Sequence, residues 1–179
     1  MSMEKIIKYK KASESEMAAF VMFIYELVVE NKATSILEIG VNRGGTSTHT
    51  ILEAIDALSL ADKSYRGMLY SIDIKDFSTT ISENNPLRKY WSFVKASSRE
   101  HYKSFERVVD ILLIDGDHSF GGVLSDYDHY LPFVKNGGYI LIHDTISSSG
   151  VSKFWNSDYI KYPKFEFSWQ YGMGIIRKI

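Results

Sequence analysis

Ser35-Ile36-Leu37-Glu38-Ile39-Gly40-Val41-Asn42-Arg43-Gly44-Gly45 is the stretch that decides the fold. A short apolar strand runs into a turn holding three glycines, and residues 46–60 then take up helical spacing. The pattern recurs downstream. Residues 68–72 read as a strand ending in Asp73, 91–95 as a third strand, 98–107 as a polar helix, and 108–114 as a strongly apolar strand ending in Asp115. Val123, Leu124, Tyr127, Tyr130 and Leu131 mark a further helix, which Pro132 helps to end. Asn136-Gly137-Gly138 then turns the chain into a strand over 139–142, followed by His143 and Asp144. A short helix is expected over 151–156. Residues 164–168 and 174–177 read as strands joined tightly through 170–172, and two strands that close must be antiparallel. Upstream, Ser13 and Glu16 have capping-box spacing, and Met17, Phe20, Val21, Ile24, Leu27 and Val28 recur at helical intervals. Residues 13–31 should therefore form an amphipathic helix covering the sheet. Alternating strands and helices imply an α/β class: a doubly wound sheet, mostly parallel with an antiparallel C-terminal hairpin, with helices on both faces.

Composition fits one domain over residues 1–179, with 1–31 as arm and covering helix and 33–179 as core. The chain has 179 residues, 45% hydrophobic and 24% charged, with net charge −1. A chain of this size buries roughly 70% of its unfolded surface, so it needs no disulfide or metal to fold. The lack of cysteine excludes thiol nucleophiles, disulfides, thiolate zinc sites and iron–sulfur clusters, which leaves carboxylates, hydroxyls and five histidines for chemistry. Residues 1–11 and 161–179 each sum to +3, so a total of −1 leaves −7 between them. An acidic body is a poor phosphate-binding surface, and no nucleic-acid partner is expected. The apolar run 17–29 is too short to span a membrane and contains Glu26, while Glu14 and Glu16 stand where a signal peptide needs positive charge. The expected location is cytoplasmic, without a membrane partner, and the apolar N-terminal helix offers a surface for a homodimer.

In an open parallel sheet, ligands bind beyond the carboxyl ends of the strands, where the strand order reverses. Those ends carry 40–45, Asp73, 96–98, 115–118 and His143-Asp144. The turn has neither the P-loop pattern nor GxGxxG, and a nicotinamide-binding fingerprint would need glycine where Asn42 stands. Glu38 and Asp73 would repel a pyrophosphate, yet they suit a ligand with a cationic ammonium and sulfonium and a free ribose diol.

The run 36–45 resembles the first motif of class I methyltransferases dependent on S-adenosylmethionine. Ile114-Asp115-Gly116-Asp117-His118-Ser119, followed after a helix by Asn136-Gly137-Gly138-Tyr139-Ile140-Leu141-Ile142-His143-Asp144-Thr145, resembles the small group related to macrocin O-methyltransferase and cephalosporin hydroxylase. Gly172-Met173-Gly174-Ile175-Ile176 is similar to that group's last strand, so the likeness covers 33–179. It implies a Rossmann-like methyltransferase sheet, S-adenosylmethionine as cofactor, and O-methylation of a small-molecule hydroxyl such as a sugar or natural product. Residue by residue, it implies that Gly40, Asn42, Gly44 and Gly45 wrap the methionine portion, with Glu38 beneath organising the loop. Asp73 would accept hydrogen bonds from both ribose hydroxyls. Ala96, Ser97 and Ser98 would lie along adenine, and Asp115 near the methionine amine and the transferring methyl. The alternative reading of Glu38 is a loop brace or cap.

Methyl transfer from a sulfonium has a neutral leaving group, so the protein positions the acceptor and removes its proton. Two routes are open. Asp117, His118 or His143 can act as base, with Asp115 beside them, or a divalent cation held by Asp115 and Asp144 can lower the acceptor's pKa. Relatives resemble that arrangement with paired acids after the fifth strand. Here the pair is His143-Asp144, which leaves Mg²⁺, Mn²⁺, Fe²⁺ or no metal. His118 and His143 also read as braces for neighbouring groups. His49, His101 and His129 fall in predicted helices away from the strand ends and read as surface or packing residues, and Tyr127 and Tyr130 as core. The Ser-, Thr- and Asn-rich stretch 77–86 reads as a mobile lid. The competing functions are a metal-dependent oxygenase of the cephalosporin hydroxylase type and a non-catalytic binding protein on the same fold.

Overall fold

The computed structural model describes residues 16–42 and 45–179. A seven-stranded sheet runs in the order β3-β2-β1-β4-β5-β7-β6, formed by β1 (Ser35–Ile39), β2 (Met68–Asp73), β3 (Trp91–Lys95), β4 (Val109–Ile114), β5 (Val134–His143), β6 (Lys164–Phe167) and β7 (Met173–Arg177). The first five strands are parallel; β7 pairs antiparallel with both β5 and β6. The expected doubly wound sheet and terminal hairpin are both present. Strand order reverses between β1 and β4, so the crossovers on either side leave in opposite directions and part at the carboxyl edge.

Both faces of the sheet are covered. Ile36, Leu69, Leu113 and Leu141 point to one side, against α1 (Val21–Glu30) and α2 (Thr46–Ala61), where Ile24, Val28, Ile51 and Ile55 are buried. Leu37, Leu112 and Ile140, one residue out of phase, point to the other side. There they meet Val123, Tyr127 and Tyr130 of α4 (Phe120–Tyr130) and Phe154 of α5 (Ser149–Trp155). Continuous apolar strands are what burial on both faces demands. Asp110 locks the amino edge: its Oδ2 accepts from Thr34 N (2.6 Å) and Ser35 N (2.9 Å), and its Oδ1 lies 2.5 Å from Lys135 Nζ. Among the described residues, no helix is long and apolar enough to cross a membrane.

Four boundaries differ from the sequence reading. The first helix opens as a 3₁₀ turn at Glu16–Phe20 and becomes α-helical only from Val21, and Ser13 of the expected capping box lies outside the described residues. The polar helix 98–107 shortens to α3 (Ser98–His101) and a 3₁₀ turn at Tyr102–Ser104, because Phe105 turns inward against Tyr130 and Phe133. The glycines 137 and 138 do not end a turn before β5; they lie within it, and a register shift between Val109 and Ile111 absorbs the irregularity.

The fourth concerns 77–86. Ile81 is fully buried and Leu87 nearly so, both in the core against α2, and Asn85 caps the 3₁₀ turn Pro86–Tyr90 by accepting from Leu87 N at 2.9 Å. The stretch is pinned at its centre and does not swing as one lid. Ile81→Ala should therefore cost about 2–5 kcal/mol in urea denaturation, as a buried aliphatic does. A residue of a free lid would change stability by less than about 0.5 kcal/mol.

Candidate functional site

Five strands end at the same edge, each running into a polar segment. Gly40 after β1, Asp73 at the end of β2, Ala96, Ser97 and Ser98 after β3, Asp115 after β4, and His143 and Asp144 at the end of β5 surround an open cavity of about 1120 Å³. Of the residues expected to hold a cofactor, Gly40, Asn42, Gly45, Asp73, Ser97 and Asp115 line it. Glu38 does not, and Gly44 lies outside the described residues.

Gly40 has φ +92°, and a Cβ there would lie 2.1 Å from the Asp115 carbonyl oxygen. Only glycine lets the turn after β1 pass so close to the end of β4. Asp73 then fixes the turn: Oδ2 accepts from Val41 N at 2.9 Å and Oδ1 from Lys75 N at 2.8 Å. Its carboxylate remains half-buried at the cavity wall, with lone pairs to spare for a ligand.

Glu38 lies beneath the turn and is fully buried. Ser47 Oγ donates to its Oε1 at 2.5 Å, and Thr48 Oγ1 and Ser71 Oγ donate to its Oε2 at 2.8 and 2.6 Å. Trp91 Nε1 in turn donates to Ser71 Oγ at 2.9 Å. One carboxyl thus ties β1, the start of α2, β2 and β3 together, which is the bracing alternative. Burial pushes it up to about 7 against the three hydroxyl hydrogen bonds.

Across the cavity, two histidines and two aspartates meet. His143 Nδ1 donates to Asp115 Oδ1 at 3.1 Å and lies 3.5 Å from Asp144 Oδ2. Burial opposes charge on this ring, yet the hydrogen bonds to the two carboxylates prevail and raise it to about 9. His118 bridges the same pair from the solvent side, with Nε2 3.4 Å from Asp115 Oδ1 and Nδ1 3.3 Å from Asp144 Oδ2. Its side chain is 45% exposed, against 2% for His143. Asp115 raises His118 above the ordinary histidine value. Ligand atoms of Asp115, His118 and Asp144 lie within 4.8 Å of one another, so the expected metal pair gains an imidazole. Asp117 is placed differently. It pairs with Arg99 at 3.1 Å and accepts from Ser119 N, which lowers its carboxyl and makes it a weak base.

Several wall residues were not expected, His49 and Asp126 among them. His49 lies at the cavity wall rather than away from the strand ends, its Nδ1 2.9 Å from Gly45 O, because α2 begins at the turn itself. Asp126 is 2% exposed, accepts from Ser98 Oγ at 2.6 Å, and is pushed up to about 6 by burial. Its signal was in the sequence: it sits on the buried stripe of α4 with Val123, Tyr127 and Tyr130, where a carboxylate needs a reason. His101 and His129 stand clear of the cavity, the latter stacked on Tyr102 at 3.8 Å.

A family model described as a methyltransferase domain matches residues 37–145, more than half of the chain. An uncharacterized protein of Acanthamoeba polyphaga mimivirus is 47% identical over 36 residues, 20% of this chain and 16% of that protein. One from Sinorhizobium fredii is 30% identical over 71 residues, 38% of this chain and 8% of that protein. The chain thus spans a small part of these curated relatives. Among solved structures, an O-methyltransferase from Bacillus cereus in complex with S-adenosylhomocysteine superposes with TM-score 0.69 and 14% identity, over 98% of this chain and 90% of that one. MycE, a methyltransferase of the mycinamycin pathway in complex with Mg, S-adenosylhomocysteine and mycinamycin VI, gives 0.60 and 17%, over 89% of this chain and 49% of that one. At these identities the likeness is one of fold.

Glu38 makes the site's support sensitive to pH. The folded carboxyl holds its proton to about 7, while the unfolded one keeps the ordinary 4.5. Between those values only the unfolded chain ionises, so stability is lost as pH rises, by up to roughly 3 kcal/mol. Urea denaturation at pH 5 and pH 8 should show wild type losing that amount relative to Glu38→Gln. A constant difference would mean that Glu38 is ionised throughout.

Proposed function

The chain belongs to the methyltransferase-domain family, and on that premise we propose that it transfers a methyl group from S-adenosylmethionine to a hydroxyl of a small molecule. The observation that carries this reading is that Asp73, Ser97 and the Asp115, His118 and Asp144 cluster open on one cavity at the reversal of strand order. In it the Gly40 turn receives the methionine portion of the cofactor, and Asp73 accepts the two ribose hydroxyls. Ala96, Ser97 and Ser98 flank adenine. The ammonium and sulfonium face Asp115, where opposite charge favours them. Solved structures of this fold in complex with S-adenosylhomocysteine support the assignment.

The sulfonium is its own activated donor, so the protein has two tasks, to align the acceptor oxygen behind the methyl and to take its proton. His118 is the base in this reading, as the imidazole of the cluster that reaches solvent. His143, enclosed and bonded to both aspartates, positions their carboxylates. On the other route Asp115 and Asp144 would hold a divalent cation, with His118 as a third donor instead of the base. One imidazole and two carboxylates suit Mn²⁺ or Fe²⁺ as well as Mg²⁺, and a bound cation lowers the pKa of an acceptor hydroxyl. A structural relative in complex with Mg supports a divalent cation in this reading.

Calorimetry with S-adenosylhomocysteine tests the reading. At a hundred times its dissociation constant it should stabilise the protein by about 2.7 kcal/mol in a denaturation assay. Asp73→Asn should weaken binding by about 10- to 100-fold, the worth of hydrogen bonds to a charged group. His118→Ala should keep cofactor binding and lower turnover of hydroxyl acceptors by about 10²- to 10⁴-fold. Loss of Mn²⁺ binding in His118→Ala would instead make the imidazole chiefly a ligand. No binding of the cofactor product by wild type would overturn the function.

A further inference from the structure

Asp126 is a buried acid of the cavity wall that neither the methionine end nor the reacting cluster employs. It is 2% exposed, and among the described residues no Lys or Arg forms an ion pair with it. Its Oδ1 accepts from Ser98 Oγ at 2.6 Å, and Tyr130 of the same helix donates its hydroxyl to Ser98 O at 2.9 Å, so α4 holds Ser98 by both ends. Oδ2 accepts from no described residue, and it is not among the enclosed polar atoms left without a partner, so it faces the cavity. A Cβ on Gly116 would lie 3.4 Å from Oδ2 and 3.3 Å from Ile39 Cγ2, so glycine at 116 keeps the approach to this oxygen open.

We propose that Asp126 Oδ2 accepts the 6-amino group of adenine and makes this cavity select adenine over 6-oxo purines. The proposal rests on the S-adenosylmethionine reading above and gives that ligand a specificity determinant. An ionised carboxylate only accepts hydrogen bonds, and in a cavity whose wall also carries apolar Ile39, Ile72 and Ala96 it suits a neutral N–H on a flat, largely apolar group. With the ribose on Asp73, at the end of β2, a base lying along Ala96, Ser97 and Ser98 points its outer edge toward the residue that grips Ser98. Adenine presents an amino donor on that edge. Hypoxanthine presents a carbonyl oxygen at that position, which sets two acceptors face to face, and its N1–H lies one ring position away from where the amino donor would meet Oδ2.

The test uses two probes on the intact protein at pH 8, where the carboxyl is ionised: S-adenosylhomocysteine and S-inosylhomocysteine, in which the 6-amino group becomes a carbonyl and N1 changes from an acceptor to an N–H. Wild type should bind the first tighter by about 10- to 100-fold, the worth of a hydrogen bond to a charged group. Asp126→Asn can still accept from Ser98 but also offers an N–H, and should narrow the ratio to within about fivefold. Ser98→Ala leaves the acceptor in place and should keep most of the discrimination. Equal binding of both probes by wild type overturns the proposal without any variant, and so does an Asp126→Asn that discriminates as wild type does. Failure of wild type to bind either probe removes the cofactor reading and this proposal with it. Binding of both alike removes only the proposal.

Discussion

The Glu38 carboxyl is the interaction on which the site's geometry depends. It sits at the reversal of strand order, fully enclosed, and accepts hydrogen bonds from the hydroxyls of Ser47 and Thr48 on α2 and of Ser71 on β2. A buried carboxyl without such partners would cost several kcal/mol. With them it becomes directional, fixing the distance between the end of β1 and the start of the helix that comes after it. The Gly40 turn is suspended between those points and is held from the other side by Asp73 through Val41 N. Two acids of opposite exposure therefore shape one loop, one from below and one from the cavity.

The strand ends also account for much of the central acidity. Asp73, Asp115, Asp117, Asp126 and Asp144 all line one cavity, with Lys75 and Arg99 as described cations beside them. Burying several carboxylates together is costly unless cations or donors separate them. His143 does so here. Enclosed behind Phe20 at 5.7 Å and hydrogen-bonded to Asp115, it places positive charge between Asp115 and Asp144. A divalent cation, on the proposed reading, would act on the same pair from the open side.

The parallel strands were legible because their apolar runs are bounded by turn residues, and the carboxyl edge followed once the strands were placed. Boundaries failed where tertiary contact overrides local pattern: Phe105 cuts a polar helix short, and Ile81 pulls a polar loop into the core. Asp73, Asp115 and Asp144 were found at the cavity because each closes a strand, a position that periodicity gives directly. His49 and Asp126 were missed because they reach it from helices, and helical residues lie at a wall only through packing that sequence spacing does not state. Glu38 shows a finer limit. Its place beneath the turn was readable, but whether it faces ligand or hydroxyls depends on three side chains from two other elements.

Exposure sorts the two histidines of the cluster more firmly than their charge does. Both touch Asp115 and Asp144, and both are raised above the ordinary histidine value. A base must meet the acceptor's proton and then release it to solvent, which an enclosed ring cannot do. His143 lies at the cavity wall with its Nδ1 on carboxylates, while its Nε2 is buried without a hydrogen-bond partner. His118, on the loop between β4 and α4, stands at the cavity mouth and shares the same carboxylates. On the proposed reading, the buried ring acts on an acceptor through the carboxylates it holds, and His118, Asp115 and Asp144 are the groups that meet the hydroxyl.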